Sequence, residues 1–109
     1  MSSSETLPNR LSLPENLTVR SAGDVKDQIL LSLAGHPSTE LDISDGATVD
    51  LSFVQTVEAA RLHADHSGKH LSLSRGADGA LLGVLDRGGF MEGMSADDKQ
   101  FWLHQGETQ

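Results

Sequence analysis

The stretch TELDISDGATVDLSFVQ, residues 39–55, decides the fold. Its first half alternates apolar and polar residues, which predicts a β-strand over residues 39–44. Asp45-Gly46 is typical of a turn. Asp50 has the chemistry of a helix N-cap, and the residues after it carry an apolar stripe at helical spacing. The stretch therefore predicts a strand that passes through a turn to the start of a helix.

The segments on either side repeat this alternation of strand and helix. Capping-box spacing marks two helix starts, at Ser21 with Asp24 and at Ser95 with Asp98. The predicted elements are a strand at 10–13, a helix at 22–35, a strand at 39–44, a helix at 50–67, a strand at 71–74, a helix at 78–90 and a helix at 95–105. This order predicts an α/β fold, with a small mixed and mainly parallel β-sheet of about four strands covered by about four helices.

The chain of 109 residues predicts one domain. We place this domain at residues 9–104, between a disordered N-terminus at 1–8 and a flexible tail at 105–109. The 16 acidic and 8 basic residues give a net charge of −8, with no basic stripe to neutralise phosphates, so we expect no nucleic-acid partner. No apolar run is long enough to insert into a bilayer, and the N-terminal residues lack the features of a secretory signal. We therefore expect a cytoplasmic protein.

The motifs that usually carry chemistry are missing from the sequence. It has no cysteine, no Gly-rich phosphate-binding loop and no nucleophile elbow, so we expect neither enzymatic activity nor a cofactor. His63, His66 and His70 could share one helical face and bind a divalent ion, but a helix that ends near Gly68 would exclude His70. We therefore interpret these histidines as solvated residues at a helix end.

The last predicted helix carries two aromatic residues, Phe101 and Trp102. Exposed aromatic side chains often anchor a partner. The apolar residues of a capped helix are more often part of the core, which favours the interpretation that both side chains dock this helix onto the sheet.

Residues 41–54 resemble the signature of STAS domains, the modules named for sulfate transporters and anti-sigma factor antagonists. In that family a strand reads roughly Leu-Asp-Leu-Ser, and a few residues later an apolar residue and Asp-Ser-Ser/Thr-Gly-Leu open the next helix. Here Leu41–Ser44 take the strand and Val49–Val54 take the helix start. The segments LSLPENLTV, GKHLSL and GALLGVLDRGGF extend the resemblance over residues 10–90. It implies an STAS-like α/β sandwich that acts through protein–protein contact.

In regulated members of that family, a kinase-type anti-sigma factor phosphorylates the serine that follows the aspartate. A helix N-terminus accommodates the phosphate, whose charge then disrupts the docked interface. This sequence has Leu51 at that position, Ser52 at the next and Phe53 in place of a glycine. Three interpretations stay open. Ser52 is a shifted phosphoacceptor, or it helps Asp50 cap the helix, or Leu51 and Phe53 form an apolar docking surface that never switches.

The resemblance implies a partner-binding surface at the start of the second helix and the turn before it. Its predicted residues are Asp45, Gly46, Asp50, Leu51, Ser52, Phe53 and Gln55. One expected function is a phospho-switchable antagonist that captures an anti-sigma factor of the GHKL kinase type, with Ser52 as candidate phosphoacceptor.

The other expected function is a constitutive adaptor in a larger assembly. Such an adaptor would be similar to the small subunit that supports the ATPase of bacterial lipid-asymmetry ABC transporters, or to STAS proteins associated with chemotaxis signalling. A third class, a small metal-binding or hydrolytic enzyme, is supported only by the histidines and Ser52.

Overall fold

The computed structural model describes residues 8–105, so residues 1–7 and 106–109 of the predicted terminal segments lie outside the described part. In chain order, the described elements are β1 (Asn9–Ser12), β2 (Asn16–Leu17), α1 (Ala22–Gly35), β3 (Ser38–Asp42), β4 (Thr48–Val49), α2 (Leu51–His66), β5 (His70–Leu73), α3 (Gly79–Arg87) and α4 (Ala96–Leu103). Every element predicted from the sequence is present with bounds shifted by a few residues, and β2 and β4 are additional. Among these residues, no helix has the length and apolar character that crossing a membrane requires.

The strands form two small sheets. β1, β3 and β5 make one sheet in the order β1-β3-β5, and β2 pairs with β4. All pairs between the described strands are parallel. The α/β architecture with four helices and mainly parallel strands is therefore confirmed, but the single mixed sheet of about four strands is corrected. After the Asp45-Gly46 turn the chain leaves β3 and pairs with β2, where Thr48 N donates to Glu15 O at 2.8 Å.

The three-stranded sheet has one apolar and one polar face. Leu41 of β3 is aligned with Leu11 of β1 and Leu73 of β5. Right-handed crossovers between strands in this order place α1 and α2 on the same face, where the two helices also contact each other. The opposite face carries Arg10 and Glu40, which form an ion pair at 3.0 Å. The apolar residues of the sheet are therefore covered by α1 and α2.

Two buried hydroxyl groups fix α1 on the sheet. The Ser32 and Thr39 side-chain oxygens are 2.6 Å apart and hydrogen-bonded, and Asn9 Nδ2 donates to the Ser32 oxygen at 2.8 Å. Ser32 and Thr39 are both buried. A buried hydroxyl without a partner destabilises the folded state. This network therefore favours a single position of α1 against β1 and β3.

Aromatic and polar contacts hold α4 against α2. Trp102 Nε1 donates to Glu58 Oε2 at 2.7 Å. Arg61 lies 3.1 Å from the carboxylates of Glu58 and Asp98, and its guanidinium carbon lies 4.4 Å from the centre of the Phe101 ring. Phe101 and Trp102 are buried. α4 also contacts β5, so the prediction that they dock the last helix onto the sheet is confirmed. Neither side chain is exposed, as the alternative of anchoring a partner would require.

One of the two predicted capping boxes is present. Asp98 N donates to Ser95 Oγ at 3.1 Å, and Ser95 N donates to Asp98 Oδ2 at 3.2 Å. The predicted box of Ser21 and Asp24 is wrong, since the Ser21 side chain makes no capping hydrogen bond. Its hydroxyl donates to Asn16 O instead. The chain before α1 folds back on itself, and this nearby carbonyl binds the Ser21 hydroxyl in place of the helix.

The Ser32 network can be tested by a double-mutant cycle. Ser32→Ala leaves the Thr39 hydroxyl without its partner, and we expect it to lower the free energy of unfolding by about 1–3 kcal/mol. Thr39→Val should have a similar effect. The double variant should lose clearly less than the sum, because no buried hydroxyl is then left unpaired. Urea unfolding followed by circular dichroism measures the four proteins, and additive losses would contradict the network.

Candidate functional site

The Asp50 carboxylate fixes the start of α2. Asp50 has the extended backbone of an N-cap, with φ −130° and ψ −177°. Its Oδ1 accepts a hydrogen bond from Ser52 N at 2.9 Å and a second one from Ser52 Oγ. The predicted N-cap is therefore confirmed, and the Ser52 hydroxyl is part of it.

The second oxygen of Asp50 binds the segment before α1. Oδ2 accepts a hydrogen bond from Val19 N at 3.0 Å, across 31 positions of sequence. Asp50 N donates to Leu17 O at 3.2 Å as part of the contact between β2 and β4. One carboxylate thus joins the start of α2 to the segment that leads into α1.

These hydrogen bonds lower the pKa of Asp50 below the ordinary aspartate value of 3.8. The Ser52 hydroxyl contributes most, and the N–H groups of Val19, Ser52 and Phe53 act in the same direction, because each stabilises the charged carboxylate. Burial opposes them by favouring the neutral acid. Asp50 is therefore charged at neutral pH, and its negative charge lies at the positive end of the α2 dipole.

The predicted site residues on α2 differ in their exposure. Leu51 is 44% exposed, Gln55 is exposed and Ser52 is half-buried. Phe53 is only 2% exposed and belongs to the core. The interpretation that Phe53 shares a docking surface with Leu51 is corrected, because Phe53 lies on the face of α2 that also buries Val57.

Val19 is an exposed residue of this site that the sequence analysis missed. It is 69% exposed, and its backbone N–H binds the Asp50 carboxylate. Val19 and Leu51 are therefore exposed apolar residues that flank one carboxylate. No sequence signal identifies Val19, because every residue except proline carries a backbone N–H and the two segments are distant in the chain.

A groove opens beside Leu51, between the start of α2 and the end of α3. It measures about 300 Å³ and is lined by Val49, Asp50, Leu51, Val84, Arg87 and Gly88. Val49, Leu51 and Val84 give this groove an apolar part, where an incoming apolar side chain can leave water, and Asp50 and Arg87 give it a charged part. We call Val19, Val49, Leu51, Val84 and Arg87 together the Leu51 surface.

The predicted turn residues lie at a different place. Asp45 and Gly46 are exposed, and the Asp45 carboxylate forms an ion pair with Arg75, which also donates to Ile43 O at 3.2 Å. Asp45 and Arg75 line a separate cavity of about 20 Å³, with room for roughly one water molecule. The buried Ser44 hydroxyl at this cavity has no partner among residues 8–105. The groove beside Leu51 thus includes Asp50 and Leu51 but neither residue of the turn.

The three histidines do not lie on one helical face. α2 ends at His66, and His70 begins β5. His63, His66 and His70 are all exposed. Within the described part of the chain, no group of three or more His, Asp or Glu side chains is arranged to hold a metal ion.

Comparisons with known proteins identify no relative of this chain. No family model, no curated protein and no solved structure matches the chain. The resemblance of residues 10–90 to STAS domains therefore stays an interpretation of the sequence, and the geometry at the start of α2 is the basis for inferring function.

The lowered pKa of Asp50 predicts that the folded protein loses stability in acid. Because folding lowers its pKa below 3.8, the charged carboxylate stabilises the fold above that value. This contribution is lost as the pH falls through the lower pKa of the folded state. Asp50→Asn keeps a capping oxygen without the charge. We expect the variant to be less stable at neutral pH, by an amount that shrinks between about pH 5 and about pH 2 in thermal melts.

Asp65→Asn is the matched control, because it removes an exposed carboxylate near the other end of α2. The pKa of Asp98 is also lowered, since hydrogen bonds from Ser95 and the charge of Arg61 outweigh its burial. Asp98 is present in every protein compared, so its own acid dependence cancels in the differences. A stability difference for Asp50→Asn that stays constant with pH would contradict the role of the charge.

Proposed function

We propose that the chain is a non-catalytic interaction module of the STAS, anti-sigma factor antagonist type, which binds a regulatory protein through the start of α2. The observation that carries this proposal is Leu51, an exposed leucine that opens a helix whose start is fixed by Asp50. The α/β architecture with parallel strands is compatible with that family. The resemblance of residues 41–54 to its signature supports the same assignment.

The fixed position of Leu51 at the helix start supports a binding role more strongly than the exposure of its side chain does. A single exposed leucine is ordinary on a protein surface. Here the backbone of Leu51 lies between Asp50 and Ser52, which are hydrogen-bonded to each other. Docking therefore costs little further loss of backbone conformational entropy at this residue. Complete burial of a leucine side chain contributes about 1.5–3 kcal/mol. Val19 and the adjacent groove add further apolar surface to the same contact.

Ser52 is the proposed point of control. Its hydroxyl donates a hydrogen bond to the Asp50 carboxylate. A phosphate on this oxygen would remove the donated proton and set nearly two negative charges beside the carboxylate. The helix N-terminus would accommodate the phosphate, and its charge at the interface would release a partner from Leu51. The partner in this switch is an anti-sigma factor of the GHKL kinase type.

The second candidate function is a constitutive adaptor for a transport ATPase of the lipid-asymmetry ABC type or for a chemotaxis complex. Two observations favour it. Leucine stands at the position where the STAS signature has its usual acceptor, and the Ser52 hydroxyl already serves the N-cap. Both candidate functions use the same surface and place the protein in the cytoplasm, and they differ in whether Ser52 is modified.

Capture of a partner from a lysate of the native cells tests the proposed surface. We expect the tagged wild-type protein to retain a partner and Leu51→Glu to lose it, because a carboxylate replaces the apolar anchor. Leu62→Glu is the matched control, since Leu62 lies further along the same helix and is 58% exposed. Thermal melts by circular dichroism establish that both variants fold. Capture that survives Leu51→Glu, or that Leu62→Glu also abolishes, would contradict the proposal.

Mass spectrometry of the captured complex separates the two functions. For the switch, we expect a GHKL-type kinase as the partner and phosphate on Ser52 in protein released by ATP, with Ser52→Ala remaining bound. For the adaptor, we expect unmodified Ser52 and a transport ATPase or chemotaxis component. Phosphate on another residue, with Ser52 unmodified, would show that Ser52 is not the acceptor.

A further inference from the structure

The tripeptide Asp-Gly-Ala occurs twice in the chain, at residues 45–47 and 78–80. An aspartate followed by glycine is prone to rearrangement, because glycine has no Cβ to shield its backbone nitrogen. This nitrogen can attack the side-chain carboxyl carbon of the aspartate and close a succinimide ring. Because the two copies consist of the same three residues, a difference in their reactivity in the folded protein reflects the structure around them.

The first copy forms the exposed middle of a turn. Ala47 N donates to Ser44 O at 3.1 Å, which closes the turn around Asp45 and Gly46. The Asp45 side chain is 86% exposed, and no other group lies within 4 Å of the position that a Cβ would take on Gly46. The ion pair of Asp45 with Arg75 also lies on the surface. Exposed pairs contribute little to stability, so this pair opens readily and frees the carboxylate to react.

The second copy lies at the start of α3. Asp78 is the N-cap residue, with φ −148° and ψ 177°, and Gly79 begins the helix. The carbonyl oxygen of Asp78 accepts a hydrogen bond from Leu82 N at 3.2 Å. Ring closure requires rotation about the Cα–C bond of the aspartate, which brings the glycine nitrogen to the carboxyl carbon. At Asp78 this rotation would move the carbonyl oxygen away from Leu82 N and open the first turn of α3.

We propose that Asp45 converts spontaneously to isoaspartate in the folded protein, while α3 protects Asp78. The Gly46 nitrogen bonds to the side-chain carbon of Asp45, and a carboxylate oxygen leaves as water with the amide proton and a proton from solvent. Water then adds to either carbonyl carbon of the ring, breaks its bond to the Gly46 nitrogen and releases a proton. Attack at the former backbone carbonyl leaves isoaspartate, and attack at the former side-chain carbonyl restores aspartate.

Isoaspartate changes the connection between the two sheets. The main chain then runs through the former side chain of Asp45 and gains one carbon atom between β3 and β4. The carboxylate that pairs with Arg75 is displaced at the same time. The modification does not involve Leu51 and is therefore independent of the proposed function.

Ageing of the full chain in water enriched in heavy oxygen tests the proposal. Hydrolysis of the succinimide inserts one heavy oxygen atom, so ring formation leaves a mass label at the aspartate where it occurred. Electron-transfer mass spectrometry of the separated peptides locates both the label and the isoaspartate. At neutral pH we expect both to accumulate several-fold faster at Asp45 than at Asp78. In concentrated urea, where α3 is unfolded, the two aspartates should react at similar rates, because their tripeptides are identical.

Gly46→Ala is the matched variant, because its methyl group shields the attacked nitrogen while the structure leaves space for it. Gly46 also lacks the positive φ that would strain an alanine. We expect labelling of Asp45 to slow several-fold and labelling of Asp78 to stay unchanged, with a circular-dichroism melt like that of the wild type. Equal labelling of Asp45 and Asp78 in the folded protein, no isoaspartate at Asp45, or unchanged labelling of Asp45 in the variant would overturn the proposal.

Discussion

The Asp50 carboxylate is the contact on which the start of α2 depends. One of its oxygens caps the helix through Ser52, and the other binds Val19 N in the segment before α1. Without it, Ser52 N would lose its protein acceptor, and the first turn of α2 would be less stable. Leu31 and Leu62 are also exposed leucines, but neither opens a helix. A fixed position at a helix start therefore distinguishes Leu51.

The residues around Asp50 divide between the core and the exposed surface. Phe53 enters the core, whereas Leu51, two positions earlier, faces water. The arginines divide in the same way, since Arg61 serves the docking of α4 while Arg87 has no ion-pair partner in the described chain. Leu51 and Arg87 line the same groove.

Hydrophobic periodicity predicts α1, α2, α3 and the three longer strands, because each is long enough to show its period. α4 has no such period, and the capping box of Ser95 and Asp98 predicts its start. β2 and β4 have two residues each and carry no period, so their pairing depends on contacts between distant segments. The capping box at Ser21 has the right spacing but fails, because its hydroxyl finds a nearer carbonyl. The residue types at Asp50 and Leu51 indicate the site, whereas the contribution of Val19 depends on a backbone contact that spans the fold.

Site-specific photo-cross-linking in the native cells tests most directly that Leu51 contacts a partner. A benzophenone side chain placed at position 51 should form a covalent adduct with one protein, and the same side chain at position 62 should not. Adduct formation at 51 alone is the predicted result. No adduct at 51, or the same adducts at both positions, would contradict the assignment of the start of α2 as the binding surface.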